Sequence, residues 1–211
     1  FLSGAAHLGQ DRTPCFWLRG LVPKSFTHRQ VTDHFEKDPI PDSNFVDYDP
    51  DVPVYLDGTG GKYGQDYRIR VCGWAWIQPK LRDNNGVVEC SGHCGYHGTI
   101  PGRQTVPRSE TFALLQFMEY AASEVLDGTT IVYTDNKGVY DRWHRGPKTT
   151  HDANGPLWDV IWECYRTVCD RGGEIRVRKV VSHAVEKGIA QDPILTYGNG
   201  LADKYAADGC K

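Results

Sequence analysis

Residues 53–65 read VPVYLDGTGGKYG, an apolar run that stops against Asp57-Gly58 and then a cluster of glycines. Taken alone, the peptide has two readings. Asp-Gly after alternating apolar residues is a hairpin-turn signal, because glycine accepts the positive φ that tight turns need. An aspartate leaving a buried strand is also a carboxylate presented for chemistry. The decision rests on the rest of the chain.

C-terminal to this peptide the patterning is regular. Strand-like runs occupy Val54 to Leu56, Tyr67 to Gln78, with alternating Ile69, Val71, Trp74 and Trp76, and Val87 to Cys94. Leu81 to Gly86 contains Asn84-Asn85-Gly86, a hairpin turn between the second run and the third. Such tight connections predict a three-stranded antiparallel meander. The period then changes. Ser109 is placed to cap a helix carrying Ala113, Leu114, Phe117, Met118, Ala121 and Val125 on one face. Thr129 to Tyr133 reads as a strand, Gly138 to Trp143 as a short helix, and Arg145, Lys148 and Gly155 mark a basic, turn-rich loop. Leu157, Trp158, Ile161, Trp162, Tyr165 and Val168 form a second amphipathic stripe, Glu174 to Val181 a strand, and Leu201 to Ala207 the start of a last helix. A meander followed by alternating helices and strands predicts an α/β domain over residues 53–211, a mixed sheet with helices on both faces.

Residues 1–52 differ. Pro14, Pro23, Pro39, Pro41 and Pro50 interrupt every periodicity, and acidic residues gather between Asp33 and Asp51. This predicts an extended, irregular arm with one short helix around Thr27 to Phe35. Phe16-Trp17-Leu18 and Leu21-Val22 are too apolar for a solvated linker and are expected to dock on the domain or on a protein partner.

A net charge of −3 over 211 residues excludes the broad basic field of a protein that grips nucleic acid by charge alone. Seven scattered cysteines without a secretory signal predict free thiols in a reducing, intracellular compartment, whether nucleus, cytoplasm or an organelle reached through a removed targeting segment. The start at Phe1 suggests a processed product or a piece of a longer polypeptide. No apolar run approaches membrane-spanning length, so no membrane partner is expected.

Four acids stand where acids are costly. Asp57 and Asp135 each follow a strand, Glu110 lies one turn before Ala113 and Leu114 on an apolar helix face, and Asp203 is in the first turn of the last helix. Asp57 can be a turn residue, Asp135 a cap and Asp203 a partner for a helix dipole. An ionised glutamate facing a core costs several kcal/mol in effective terms unless it is paired or bound to metal. If the strands of Asp57 and Asp135 are neighbours, the two carboxylates emerge together and repel unless a cation sits between them. All-oxygen ligation suits magnesium or manganese rather than zinc. Two such ions about 4 Å apart are a device for in-line displacement at a phosphodiester.

The segments VYLDGTGG, RSETFALL, IVYTDNKGVY, NGPLW, VVSHA and GNGLADKYAADG, in that order, make residues 54–208 similar to a type 1 ribonuclease H domain. GTIPGRQTVPRSETFALL with the preceding arm resembles in particular the ribonuclease H regions of non-LTR retroelement polyproteins. The resemblance implies a ribonuclease H-like fold with a five-stranded mixed sheet. It also implies that Asp57, Glu110, Asp135 and Asp203 bind two magnesium ions and that the RNA strand of an RNA/DNA hybrid is cleaved to a 3′-hydroxyl and a 5′-phosphate. His183 matches a mobile histidine that assists proton transfer or product release, and Asn199 a helix-starting asparagine that positions it or caps the helix. Gly58, Thr59, Thr105, Asn136 and Lys137 fall at substrate-contact positions, with Gly58 admitting an RNA sugar and Thr105 meeting a DNA phosphate. Three departures bear on the substrate: Val106-Pro107 replaces polar contacts, Lys137 stands where a glutamine is common, and the loop from His183 to Asn199 is long.

Other signals are weaker. Cys90, His93, Cys94 and His97 invite a zinc reading, but their spacing is compact and strand alternation sends His93 and Cys94 to opposite faces, which argues against zinc. Trp74, Trp76, Trp158 and Trp162 read as packing residues, whereas Trp143, beside Arg142 and Arg145, either contacts nucleic acid or packs the short helix. Two functions compete. One is a hybrid-specific, metal-dependent ribonuclease; the other is a retroelement-derived, catalytically retired domain serving as a structural subunit of a larger assembly.

Overall fold

Asn85 and Gly86 adopt φ of 55° and 86°, the paired left-handed conformation that joins two twisted strands by a two-residue turn. This hairpin belongs to a computed structural model that describes residues 36–41, 46–66, 70–124, 128–147, 153–182, 184 and 186–210. The expectations for Phe16 to Val22, Thr27 to Phe35, Tyr67 to Ile69, Val125, Lys148 and His183 lie outside the described residues.

In chain order the elements are β1 (Asp38–Pro39), β2 (Val54–Thr59), β3 (Gly73–Asn84), β4 (Val87–Thr99), α1 (Val106–Ser123), β5 (Gly128–Thr134), α2 (Lys137–Arg145), α3 (Gly155–Asp170), β6 (Gly173–Lys179) and α4 (Pro193–Asp208). The sheet order is β1-β4-β3-β2-β5-β6. The meander is antiparallel, whereas β5 joins β2, and β6 joins β5, in parallel. The sheet is mixed as the sequence predicts, but it has six strands rather than five. The sixth is β1, a two-residue pairing with His97 and Tyr96 of β4. Two residues among prolines carry no periodicity, so this strand has no sequence signature. It forms because β4 has an open edge and Ile40, 1% exposed, is buried beside it. Gly98 makes room, since a Cβ there would lie 1.7 Å from the Glu36 carbonyl.

Several boundaries differ from the sequence reading, each for a local reason. The strand placed at Tyr67 starts at Gly73 and runs on to Asn84, through the segment read as a turn. Its Pro79 is tolerated because β2 pairs only as far as Ile77, which leaves the proline side of β3 without a partner, and the register shifts between Pro79 and Leu81. Helix α1 begins at Val106, with Thr105 extended as its N-cap and proline in its first turn, where a missing N–H costs nothing. Ser109 is therefore not a cap; its hydroxyl donates back to the Val106 carbonyl at 2.9 Å. The last helix starts at Pro193, eight residues ahead of Leu201, with the Asp192 carboxylate accepting from Ile194 N at 2.8 Å.

Two apolar clusters flank the sheet. On one face Leu56, Trp74, Trp76, Val132 and Val177 meet α1, α2 and α3. On the other, Tyr55, Ala75 and Ile77 meet Ala202, Tyr205 and Ala206 of α4. Part of the N-terminal arm joins in. Tyr48 packs on the Phe117 and Tyr120 rings and shares a 2.8 Å hydrogen bond with Thr130, while the Gln78 amide donates to the Asp49 and Val52 carbonyls at 2.7 Å each.

Candidate active site

Asp57 sits within β2, not in a turn: the strand continues to Thr59, and the chain reverses only at Gly61, with φ of 61°. Leu56 pairs with Thr134 of β5, so Asp57, inside β2, and Asp135, just past the end of β5, lie side by side one residue beyond that pair. Glu110 arrives from α1. It is brought there by Gly58, where a Cβ would stand 2.3 Å from Glu110 N and 2.5 Å from the Ser109 carbonyl carbon, so no side chain fits between strand and helix. The resemblance assigns that glycine to an RNA sugar; in the fold, its missing side chain is used by the protein's own helix. The result is a cluster in which one carboxylate oxygen from each of Asp57, Glu110 and Asp135 lies within 4.8 Å of the others.

Burial and mutual repulsion dominate the electrostatics. Desolvation, then the negative charges of Asp135 and Asp203, push the Asp57 carboxyl well above its ordinary range. Glu110 is pushed the same way by burial first and then by Asp57 and Asp135, against hydrogen bonds from the Asn136 side chain and the Gly58 N–H. Glu110 Oε2 is buried without a hydrogen-bond partner. An orphaned buried carboxylate oxygen facing two more carboxylates fits a divalent cation, and hard oxygen donors alone fit magnesium or manganese.

A cavity of about 680 Å³ opens over the cluster, lined also by Gly58, Thr59, Asn199 and Asp203. Asp203 hydrogen-bonds Asp57 but is exposed and stands outside the three-carboxylate group. Because α4 starts at Pro193, Asp203 belongs to its third turn and Asn199 to its interior, so neither can serve the helix N-terminus. Asn199 turns inward instead and donates from Nδ2 to Asp135 Oδ2 at 3.5 Å. Asn136 caps α2, its Oδ1 accepting from Val139 N at 3.0 Å, while its side chain also hydrogen-bonds Glu110. Thr105 and Lys137 lie outside the cavity lining, Thr105 at the start of α1 and Lys137 paired with Asp141 on α2.

The sequence reading misses Gln65, Glu186 and Thr196, which also line the cavity. For Thr196 a signal was present: Asp192-Pro193 is a cap followed by a first-turn proline, which starts the helix before the site. Gln65 and Glu186 lie on turns, where no period marks them.

No family model and no curated protein matches the sequence. Solved structures do match in shape. The ribonuclease H domain of the foamy virus PFV superposes with a TM-score of 0.51 at 20% identity, covering 75% of this chain and 93% of that one. The chain has a ribonuclease H-like fold. The foamy viral protease-reverse transcriptase solved in complex with dsDNA gives 0.50 at 17% identity, over 75% of this chain and 93% of that one. The N-terminal ribonuclease H domain of a Mycobacterium tuberculosis protein, solved as a maltose-binding fusion, gives 0.48 at 17%, over 75% and 94%. In this ribonuclease H-like chain, the parallel pairing of β2 with β5 sets Asp57 beside Asp135, and α1, packed on β2 and β3, delivers Glu110.

The cysteine-histidine segment lies along β4 and alternates as expected: Cys94 joins the α1-side core, whereas the His93 ring faces Tyr205 of α4. Trp143 packs, with its ring stacked 4.8 Å from Trp162 and set edge-on 4.9 Å from Tyr165. Trp74 and Trp76 are fully buried, as their reading required.

Proposed function

We propose that this chain is a metal-dependent endonuclease that hydrolyses the RNA strand of RNA/DNA hybrids, derived from a retroelement. The observation that carries the reading is the convergence of Asp57, Glu110 and Asp135 within 4.8 Å inside a ribonuclease H-like fold. Those three, with Asp203, would hold two magnesium ions, or manganese. When bound, such ions supply a nucleophilic water at neutral pH and stabilise charge on the leaving oxygen. Water would add at phosphorus and the ribose 3′-oxygen would leave, giving a 3′-hydroxyl and a 5′-phosphate.

The chain's own groups have positioning tasks in this scheme. The Asn136 side chain and the Gly58 N–H both hold Glu110. Asn199 fixes Asp135. His183 is proposed to assist proton transfer or product release, and Thr59 and Gly58 to meet the RNA strand at the cavity wall. The dsDNA held by one foamy viral structure of similar fold supports a duplex ligand.

Labelled hybrid incubated with the purified chain and magnesium tests the proposal. Cleavage by the natural sequence and none by Asp57→Asn or Asp135→Asn is the expected result; equal cleavage by all three would end it. Val106, an apolar wall of the cavity where the resemblance has a polar contact, supports a second reading as a non-catalytic structural subunit. Hybrid left intact by a chain recovered in a stable multiprotein complex would favour that reading.

A further inference from the structure

A second groove, of about 630 Å³, lies between α2 and the free edge of β6. Its walls include His144 and Tyr140 of α2 and Arg176, Arg178 and Lys179 of β6. The groove lining sets Arg176, Arg178 and Lys179 against one carboxylate, Glu174, in a chain whose net charge is −3. That carboxylate and the nearby Asp141 of α2 are already engaged. Glu174 holds Arg176 through paired contacts of 2.9 and 2.8 Å, and Asp141 feels Lys137, Arg145 and Lys179 at once. Arg178 is exposed, and no ion pair reaches it among the described residues. Lys179 is paired across the sheet with Thr134, the residue before Asp135, so the cationic row runs up to the carboxylate cluster.

We propose that this α2–β6 groove, through Arg178 and Lys179, is a docking site for the phosphodiester backbone of a nucleic-acid duplex beyond the point of cleavage. The proposal rests on the nuclease reading for the direction in which the duplex runs. Phosphates are the occupant that the charge selects, because the cations of the groove wall outnumber its one carboxylate, which Arg176 already occupies. The row also ends beside Asp135, so one duplex can span both places. The overall acidic balance makes such a local patch necessary, because the rest of the chain supplies no general attraction for a polyanion.

The test is binding of an RNA/DNA hybrid of roughly 24 base pairs in EDTA, read by fluorescence anisotropy across a salt series. Arg178→Gln with Lys179→Gln should weaken binding about ten-fold at low salt and lower the slope of log affinity against log salt by about two, one for each phosphate that is no longer neutralised. Arg82→Gln on the distant β3–β4 hairpin should change neither. A hybrid of about six base pairs, long enough for the carboxylate cluster alone, should bind the double variant and the natural chain alike. Unchanged affinity and slope in a double variant that melts at the natural temperature would overturn the proposal. So would an equal effect from Arg82→Gln, or a loss confined to an acidic peptide. Cleavage is scored separately with magnesium. Arg178-dependent binding without cleavage sinks the nuclease reading alone, and cleavage without Arg178-dependent binding sinks this one alone.

Discussion

Gly58 and Glu110 meet backbone to backbone, with 2.3 Å between Glu110 N and the place a Gly58 Cβ would occupy. The contact is with helix backbone, which cannot rotate away, so strand and helix would have to separate. Gly58→Ala is expected to cost about 1–3 kcal/mol by overpacking and to move Glu110 out of the cluster. Chemical denaturation reads the first effect. The second appears as a loss of the magnesium-induced rise in melting temperature.

Asp57 and Glu110 are acids that burial and neighbouring charge hold above their ordinary range, which makes the metal-free protein pH-sensitive in a definite direction. In the unfolded chain both lose their protons near pH 4; in the folded chain they keep them to higher pH. Between these limits the folded state binds more protons, so stability is greatest below about pH 4 with respect to these two groups and falls as pH rises through their folded values. Other carboxylates add their own acid-limb losses. The difference between the natural chain and Asp57→Asn isolates the buried site, and that difference should grow with pH in EDTA and shrink when magnesium is added.

Asp57→Asn itself should raise the melting temperature of the metal-free protein, because it removes a charge from a buried, anionic cluster. A gain of about 1 kcal/mol would appear as roughly 2–4 °C in a domain of this size. The same variant should lose the further rise that magnesium gives the natural chain. A lower melting temperature in EDTA would contradict the repulsion argued for the cluster.

Tyr48 lies in the segment read from sequence as an arm, yet it rests on Phe117 and Tyr120 and bonds Thr130. Tyr48→Ala is expected to cost about 2–4 kcal/mol. A chain beginning at Pro53 should be less stable still, since it also loses Ile40 and the Asp49 carbonyl that the Gln78 amide requires. Hydrogen exchange should then rise most in β4, whose edge β1 covers.

Asn199 offers a finer test of the site. Its amide reaches Asp135 while Oδ1 stays buried without a partner. Asn199→Asp would set another anion against Asp135 and is expected to raise the magnesium concentration needed for half-maximal activity about ten-fold. Asn199→Ala should raise it less, because it removes a donor without adding charge.

The order of strands and helices, the turn at Asn85-Gly86 and the identity of the costly acids are written locally. Alternation, helical spacing and turn chemistry act over a few residues, and a glutamate on an apolar stripe announces itself there. The start of α4 was legible in the same way at Asp192-Pro193, although the reading began the helix at Leu201. Proximity is a different kind of fact. That Gly58 is needed by α1, that β1 seals β4, that Asn199 faces Asp135, and that Arg178 lies along a groove leading to the acids all depend on surfaces separated by tens of residues. Those surfaces meet only when the sheet closes, because packing, unlike periodicity, is decided by every layer at once.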